Sequence, residues 1–161
     1  MPPMIHHHEI RVRYGETDKM GVVHHSVYPL YFEEARTELM RACGFSYAEL
    51  EADGYLLPLA DIGIRFEKGA VYDDLMVLAA RPIEVTRVRL VIQYEVFRKA
   101  DGERLAIGQT HHACTSVDLR PRRLPEDVYR ILHDAMEPSL GEDPVRRFRL
   151  KGRPVPDGGD A

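Results

Sequence analysis

The sequence lacks several features that would each point to a particular class of protein. It has only two cysteines among 161 residues, and they stand far apart without the paired spacing of a metal site or redox motif. No apolar run approaches the ~20 residues that a membrane-spanning helix needs, and the first eight residues contain no apolar signal-peptide core. The formal net charge of −4 is not the basic excess usual in nucleic-acid-binding proteins. We therefore expect a cytoplasmic protein with no membrane span and no nucleic-acid partner.

The length and the local composition predict one folded domain with two tails. Residues 1–8 are expected to form a flexible N-terminus, and residues 9–136 a single domain large enough to bury a core without disulfides or metals. Residues 137–161 are rich in proline, glycine, arginine and aspartate, so we expect a partly disordered C-terminal extension. Its stretch 145–151 could instead dock on the domain or on a partner.

Hydrophobic periodicity predicts a long helix in the first third of the chain. From Tyr28 onward the apolar residues recur on one helical face, and Pro29 is tolerable only in a first turn. Gly44 supplies a natural stop, and Ser46 with Glu49 forms a capping-box pattern that predicts a second, short helix. The apolar face of the long helix comprises Tyr28, Tyr31, Phe32, Ala35, Leu39 and Ala42.

The remaining segments read mainly as strands. Strands are predicted at residues 9–14, 59–68, 75–85, 88–97 and 104–117, and a final helix at residues 125–136. Asp101 and Gly102 form a tight hairpin signal. Short connections favour antiparallel pairing, and an amphipathic helix must bury its apolar face on the sheet. The sequence thus predicts an α+β domain with an antiparallel sheet wrapped around a long central helix.

The loop before the long helix gathers the residues best suited to chemistry, namely Tyr14, Glu16, Asp18, His24, His25 and Tyr28. Unpaired amides and the dipole at a helix start favour negative charge that develops on a substrate, such as the oxyanion formed when a thioester carbonyl is attacked. A nearby carboxylate can attack the carbonyl or activate water. A lone aspartate at such a position is also commonly a helix cap, and this reading stays open on the residues alone.

The same segment resembles a known family, the 4-hydroxybenzoyl-CoA thioesterase-like proteins of the hot-dog fold. Its nearest likeness is to the short acyl-CoA thioesterases associated with the Tol-Pal system. The matching residues are Tyr14, Glu16-Thr17-Asp18, Gly21-Val22-Val23, His25, Tyr28 and residues 33–37, with Ser116-Val117-Asp118 and Arg123-Leu124-Pro125 further on. The likeness extends over roughly residues 9–132.

The resemblance implies a role for each matching position. Asp18 corresponds to the catalytic carboxylate, as nucleophile or general base, and His25 to a residue beside the thioester. Tyr14 corresponds to an aromatic residue near that carboxylate. Backbone amides near His24 and His25 would polarise the carbonyl. A related branch uses a helix glutamate instead, which makes Glu33 an alternative candidate.

Substrate contacts are expected from the turn, from the helix start and from four cationic residues that could meet the phosphates of coenzyme A. The candidates are Gly21, Val22, Val23, His24, Tyr28, Arg65, Lys68, Arg87 and Arg89. Three consecutive histidines at 6–8 are weak evidence for a metal site. We expect no metal, and no cofactor beyond the coenzyme A that belongs to the substrate.

The expected function is hydrolysis of an acyl-CoA to a carboxylic acid and free coenzyme A. Two alternatives stay open, a hot-dog hydratase or dehydratase acting on acyl thioesters, and a non-catalytic acyl-CoA-binding module. The resemblance implies a homo-oligomer, either a dimer with its two sheets joined edge to edge or a homotetramer built as a dimer of dimers.

Overall fold

The computed structural model describes residues 4–136 of the chain. Within this range the chain forms an α+β arrangement of strands and helices, as the sequence predicts. The elements are β1 (His6–Arg11), α1 (Tyr28–Ala42), α2 (Tyr47–Ala52), β2 (Leu59–Phe66), β3 (Leu75–Val85), β4 (Arg89–Arg98), β5 (Arg104–Ala113) and α3 (Glu126–Ala135). The predicted C-terminal extension, residues 137–161, lies outside the described residues.

The five strands form one antiparallel sheet in the order β1-β3-β4-β5-β2. β3, β4 and β5 follow one another as hairpins in the middle of the sheet. β1 joins one side of them, while β2, which follows the first two helices, joins the other side beside β5. Both β1 and β2 are therefore edge strands.

Helix α1 packs across the inner face of this sheet. Phe32 is fully buried and stacks on Tyr94 of β4, with ring centroids 4.3 Å apart and planes 4° from parallel. A Cβ at Gly108 of β5 would lie 2.4 Å from the Phe32 ring. The glycine thus permits the close approach of helix and sheet. Burial of a side chain such as Phe32 contributes about 1.5–3 kcal/mol.

Both ends of α1 follow from the sequence. Pro29 lies in the first turn, where its missing N–H costs no helical hydrogen bond. Gly44 follows the helix with a φ of +100°, a left-handed conformation that glycine adopts without strain. Ser46 and Glu49 exchange the two hydrogen bonds of a capping box at the start of α2, as predicted.

The first strand is displaced from its predicted position. It begins at His6 and ends at Arg11, whereas the sequence predicts residues 9–14, so residues 6–8 belong to the sheet and not to a flexible terminus. Pairing with β3 from His6 opposite Ala80 to Arg11 opposite Leu75 fixes these bounds. The histidines lack the apolar alternation that marks a strand, which is why the pattern misses them.

The last strand is shorter than predicted. β5 ends at Ala113 instead of continuing to residue 117. Thr115 forms isolated bridges with Leu56 and Pro121, and Leu119 adopts a positive φ of 60°. The chain therefore turns away from the sheet before it enters α3.

Candidate active site

The segment before α1 folds back on itself as a small hairpin, residues 16–24, called here the Asp18 loop. The Asp18 N–H donates to the Val22 carbonyl at 2.9 Å, and the His24 N–H donates to the Glu16 carbonyl at 2.9 Å. The Gly21 N–H closes the turn on the Asp18 carbonyl at 2.9 Å, with a φ of +81° at Gly21. The predicted tight turn at the glycine is therefore present, and it places Asp18 at the tip.

The Asp18 carboxylate is oriented by its own turn. Its Oδ1 accepts the Met20 N–H at 2.8 Å. This is the local capping role that a lone aspartate often fills. The side chain also lines a pocket, so capping one backbone donor and facing a substrate site are compatible here.

The pocket beside Asp18 has a volume of about 300 Å³. It is enclosed by the loop, by the start of α1 and by the segment that follows β2. Its lining residues are Asp18, Met20, Val22, Val23, His25, Tyr28, Phe66, Glu67, Lys68 and Gly69. The Asp18 loop and the segment after β2 meet closely, because a Cβ at Gly69 would lie 2.5 Å from Val22 Cγ1.

An aromatic pair forms the apolar part of the pocket. Tyr28 is almost fully buried and meets the edge of Phe66, with ring centroids 4.9 Å apart. Burial raises the pKa of Tyr28 to about 12, although the charge of Arg98 acts in the opposite direction. The Tyr28 hydroxyl is therefore neutral at physiological pH and can donate a hydrogen bond.

The two neighbouring histidines differ in role. His24 Nδ1 lies 2.7 Å from Ser26 Oγ and accepts the Ser26 N–H at 3.2 Å, which caps the short 3₁₀ turn leading into α1. The His25 ring lies 4.1 Å from the His24 ring, centroid to centroid, and lines the pocket. The structure thus brings His25 to Asp18's pocket, while His24 is engaged in shaping the turn.

Tyr14, Gly21 and Glu33 also lie away from the pocket wall. Tyr14 is 78% exposed and packs edge-on against Tyr72, with ring centroids 5.4 Å apart. Gly21 forms the turn without lining the pocket, and the alternative candidate Glu33 is exposed on α1.

The four predicted phosphate-binding cations separate into two groups. Lys68 lines the pocket and pairs with Glu103, and Arg65 is the penultimate residue of β2. Arg87 instead pairs with Glu126 and covers the Tyr129 ring at the start of α3. Within one chain, Arg87 is therefore not brought to the Asp18 pocket.

Arg89 lies at the far end of the sheet as well. It begins β4, opposite Ala113, while the other end of β4 reaches the Asp18 pocket through a bond from Arg98 to the Gly69 carbonyl at 2.9 Å. Arg89 lines a second pocket of about 490 Å³, together with Asp61 and His111.

Phe66 and Gly69 are pocket residues that the sequence patterns do not single out. Phe66 reads only as a strand residue, and it reaches the pocket because β2 pairs with β5 and sets Phe66 opposite Ala106. The place of Gly69 in the pocket could be predicted only from its contact with Val22. Neither position carries a local signal of function.

Residues 4–136 contain neither a metal-ligand cluster nor a membrane-spanning helix. Within this range no cluster of three or more histidine, cysteine or acidic side chains is arranged to hold a metal ion. No helix in the same range has the length and apolarity needed to cross a membrane.

Comparison with known proteins gives a consistent match. The family described as the thioesterase-like superfamily matches residues 12–132. A Bacillus subtilis protein named putative acyl-CoA thioesterase YneP is 35% identical over 106 residues, which cover 66% of this chain and 76% of that protein. The Escherichia coli acyl-CoA thioester hydrolase YbgC is 28% identical over 122 residues, covering 74% of this chain and 89% of its own.

Solved structures agree with these sequence matches. A hypothetical protein from Thermus thermophilus, TT1821, superposes with a TM-score of 0.75 at 40% identity, covering 79% of this chain and 96% of the other. A DHNA-CoA thioesterase from Staphylococcus aureus superposes with a TM-score of 0.75 at 34% identity, covering 81% and 87%. The predicted hot-dog arrangement of the sheet and α1 is confirmed by these matches.

Proposed function

This chain belongs to the thioesterase-like superfamily, and we propose that it hydrolyses acyl-CoA to a carboxylic acid and free coenzyme A. The observation that carries the proposal is the placement of Asp18 and His25 on one pocket at the entrance to α1. Assignment to the Tol-Pal-associated branch and a cytoplasmic location stay predictions.

In the proposed reaction Asp18 acts on the thioester carbonyl, either by direct attack or by taking a proton from water. On the general-base route water adds to the carbonyl carbon and the carbon–sulfur bond breaks. On direct attack Asp18 adds instead, the carbon–sulfur bond breaks to leave an acyl anhydride, and water then cleaves the anhydride to the acid and the free Asp18 carboxylate. On both routes the thiolate takes up a proton and leaves as free coenzyme A. The two routes differ in whether the acyl group is first attached to Asp18. The reaction needs no metal or cofactor.

The carbonyl oxygen becomes negatively charged during this step and needs hydrogen-bond donors. The His24 amide is already bonded to the Glu16 carbonyl, so of the two amides predicted for this role we assign it to that of His25. The His25 ring, on the same pocket, would orient the thioester or the leaving thiol. The dipole of α1 adds to the stabilisation.

We propose that the acyl group lies against the apolar part of the pocket, between Met20, Tyr28 and Phe66. Val22 and Val23 would form the wall beside Asp18, with Gly21 as the turn behind them. Lys68 at the pocket would meet a phosphate of coenzyme A.

We further propose that two copies pair edge to edge through β2. This edge strand exposes Leu59, Ile62 and Phe66, with 48%, 39% and 48% of their surfaces accessible. In an antiparallel pair, the Leu59 end of one copy adjoins the Phe66 end of the other. Arg89, at the Leu59 end of its own sheet, would then approach the Asp18 pocket of the second copy. We propose phosphate contacts for Arg65 and Arg87 in the same dimer. We also propose that two such dimers assemble into a homotetramer.

The decisive experiment follows thiol release from a panel of acyl-CoAs, with wild type and Asp18→Asn in parallel. We expect wild type to release free thiol and the variant to be slower by at least ~10³-fold, the order of loss typical of a removed nucleophile or base. Absence of release by wild type on every chain length would contradict the hydrolase. A change in enoyl absorbance without free thiol would support the hydratase or dehydratase instead.

A further inference from the structure

Glu16 sits at the base of the Asp18 loop as an almost buried carboxylate, its side chain 12% exposed. Oε1 accepts the backbone N–H of Arg13 at 2.7 Å and the hydroxyl of Tyr31 at 3.0 Å. Oε2 accepts from the Arg13 guanidinium at 3.2 Å. Charge-assisted hydrogen bonds are stronger than neutral ones, so three donors hold this carboxylate in one orientation.

The same residue joins parts of the chain that lie on either side of Asp18. Its main-chain carbonyl accepts the His24 N–H at 2.9 Å, which closes the two limbs of the loop. Its side chain reaches Tyr31, which lies near the start of α1. Glu16 therefore connects the limb carrying Asp18, the limb leading to His25, and the helix whose N-terminus faces the pocket.

Electrostatics favour the charged form of this anchor. Burial alone would raise the pKa of Glu16, but the bonds from Arg13 and Tyr31 outweigh burial and lower it below its usual value. Burial and the adjacent carboxylate raise the pKa of Tyr31. At neutral pH the ionised Glu16 carboxylate therefore accepts a hydrogen bond from the protonated Tyr31 hydroxyl.

We propose that Glu16 is a positioning residue for the reaction at Asp18, fixing the separation between Asp18 and His25 by tying the loop to Tyr31. The inference rests on the proposed thioesterase function. Glu16 is not among the residues that line the pocket, so it acts through the loop and not on the substrate. A displacement of about 1 Å at a reacting group can cost ~10²-fold in rate.

The test compares Glu16→Ala and Tyr31→Phe with a matched control, Glu34→Gln. Glu34 is also an acidic partner that links α1 to another element, through His8 of β1 at 2.8 Å, but it does not bond the loop. We expect Glu16→Ala to lower kcat ~10–100-fold with KM changed less than ~3-fold. Tyr31→Phe removes one of the three donors and should lower kcat ~3–10-fold, while Glu34→Gln stays within ~2-fold of wild type.

Amide hydrogen exchange supplies a readout that does not depend on turnover. Glu16→Ala should speed the exchange of the Asp18 and His24 amides, whereas Glu34→Gln should leave them unchanged. Wild-type kcat in Glu16→Ala, a change confined to KM, or an equal loss in Glu34→Gln would overturn the positioning role. If Glu16→Ala does not fold, Tyr31→Phe with unaltered kcat and exchange overturns it.

The two proposals fail in different ways. Thiol release by wild type and its loss in Asp18→Asn establish the chemistry whatever Glu16 does. Absence of thiol release by wild type removes the thioesterase function, and the positioning role falls with it. Normal turnover in Glu16→Ala beside an inactive Asp18→Asn removes the positioning role alone.

Discussion

Two polar clusters, one in the segment before α1 and one between α1 and the sheet, use similar residue types for different purposes. The Asp18 loop opens on a pocket, and Asp18 and the adjacent His25 face a space of about 300 Å³. The other cluster is sealed between α1 and the sheet and consists of Arg36, Tyr94, Thr110 and His112; we call it the buried network. One cluster is open to a ligand, and the other is closed by its own partners.

The buried network has a single consistent direction of hydrogen bonding. His112 Nδ1 lies 3.0 Å from the Leu57 carbonyl and must carry the proton, so Nε2 accepts from the Thr110 hydroxyl at 2.9 Å. Thr110 Oγ1 then accepts from Tyr94 at 2.8 Å, and Tyr94 accepts from Arg36 at 3.2 Å. Each of the four hydrogen bonds in this network joins one donor to one acceptor, which is the condition for burying polar groups at little cost.

The surroundings of a histidine decide whether it can act on a substrate. Burial, followed by the charge of Arg36, lowers the pKa of His112 to about 4. A proton on Nε2 of His112 would also remove the atom that accepts the hydrogen bond from the Thr110 hydroxyl. His112 is therefore a neutral structural residue, whereas His25 is exposed at a pocket and able to meet a thioester.

The first prediction concerns the buried network and the pH dependence of stability. The folded-state pKa of His112 lies below the unfolded value of 6.5, so the unfolded chain binds more protons between about pH 6.5 and about pH 4. The free energy of unfolding should fall by up to ~3 kcal/mol as the pH drops through this window. Urea unfolding at a series of pH values measures it.

A matched pair of variants isolates this contribution. His112→Asn should flatten the stability profile between pH 6.5 and 4, because the titrating group is gone. His111→Asn alters the neighbouring position, which faces the other side of the sheet, and should keep the slope. An unchanged slope in His112→Asn would show that other groups produce the pH dependence.

A second prediction separates the roles of His24 and His25 beside the Asp18 pocket. His25→Ala should lower kcat/KM ~10–100-fold, equivalent to about 1.4–2.7 kcal/mol, because His25 lines the pocket beside Asp18. His24→Ala should lose less activity and more stability, because its ring caps the 3₁₀ turn. Steady-state kinetics and thermal melts on both variants check this. An equal loss of kcat/KM in the two variants would mean that lining the pocket gives His25 no larger part in the reaction than His24 has.

Much of the fold and six of the ten residues that line the Asp18 pocket are predictable from the sequence, for a physical reason. Asp18, Val22, Val23, His25 and Tyr28 lie in one continuous segment, so local pattern and spacing are enough to group them. The helices and most strands are likewise set by local periodicity.

What the sequence does not predict depends on contacts between distant parts of the chain. Phe66 and Gly69 join the pocket through the register of β2 on β5 and through contact with the loop. The buried network needs the register of β4 on β5, which sets Tyr94 opposite Gly108. Arg87 and Arg89 lie at the other end of the sheet from the Asp18 pocket of their own chain, so their predicted phosphate contact depends on the proposed pairing of two copies.

The smallest expected effect tests whether a carboxylate near the site in sequence belongs to it in space. Glu33 lies five residues after Tyr28 on α1, yet it is exposed and does not line the pocket. Glu33→Gln should therefore change kcat/KM less than ~2-fold, about 0.4 kcal/mol, and the free energy of unfolding within the ±0.5 kcal/mol usual for surface substitutions. Thiol-release kinetics beside Asp18→Asn measure the difference. A loss of kcat/KM approaching that of Asp18→Asn would mean that the catalytic carboxylate belongs to α1 and not to the Asp18 loop. The exposed face of α1 would then be part of the candidate site.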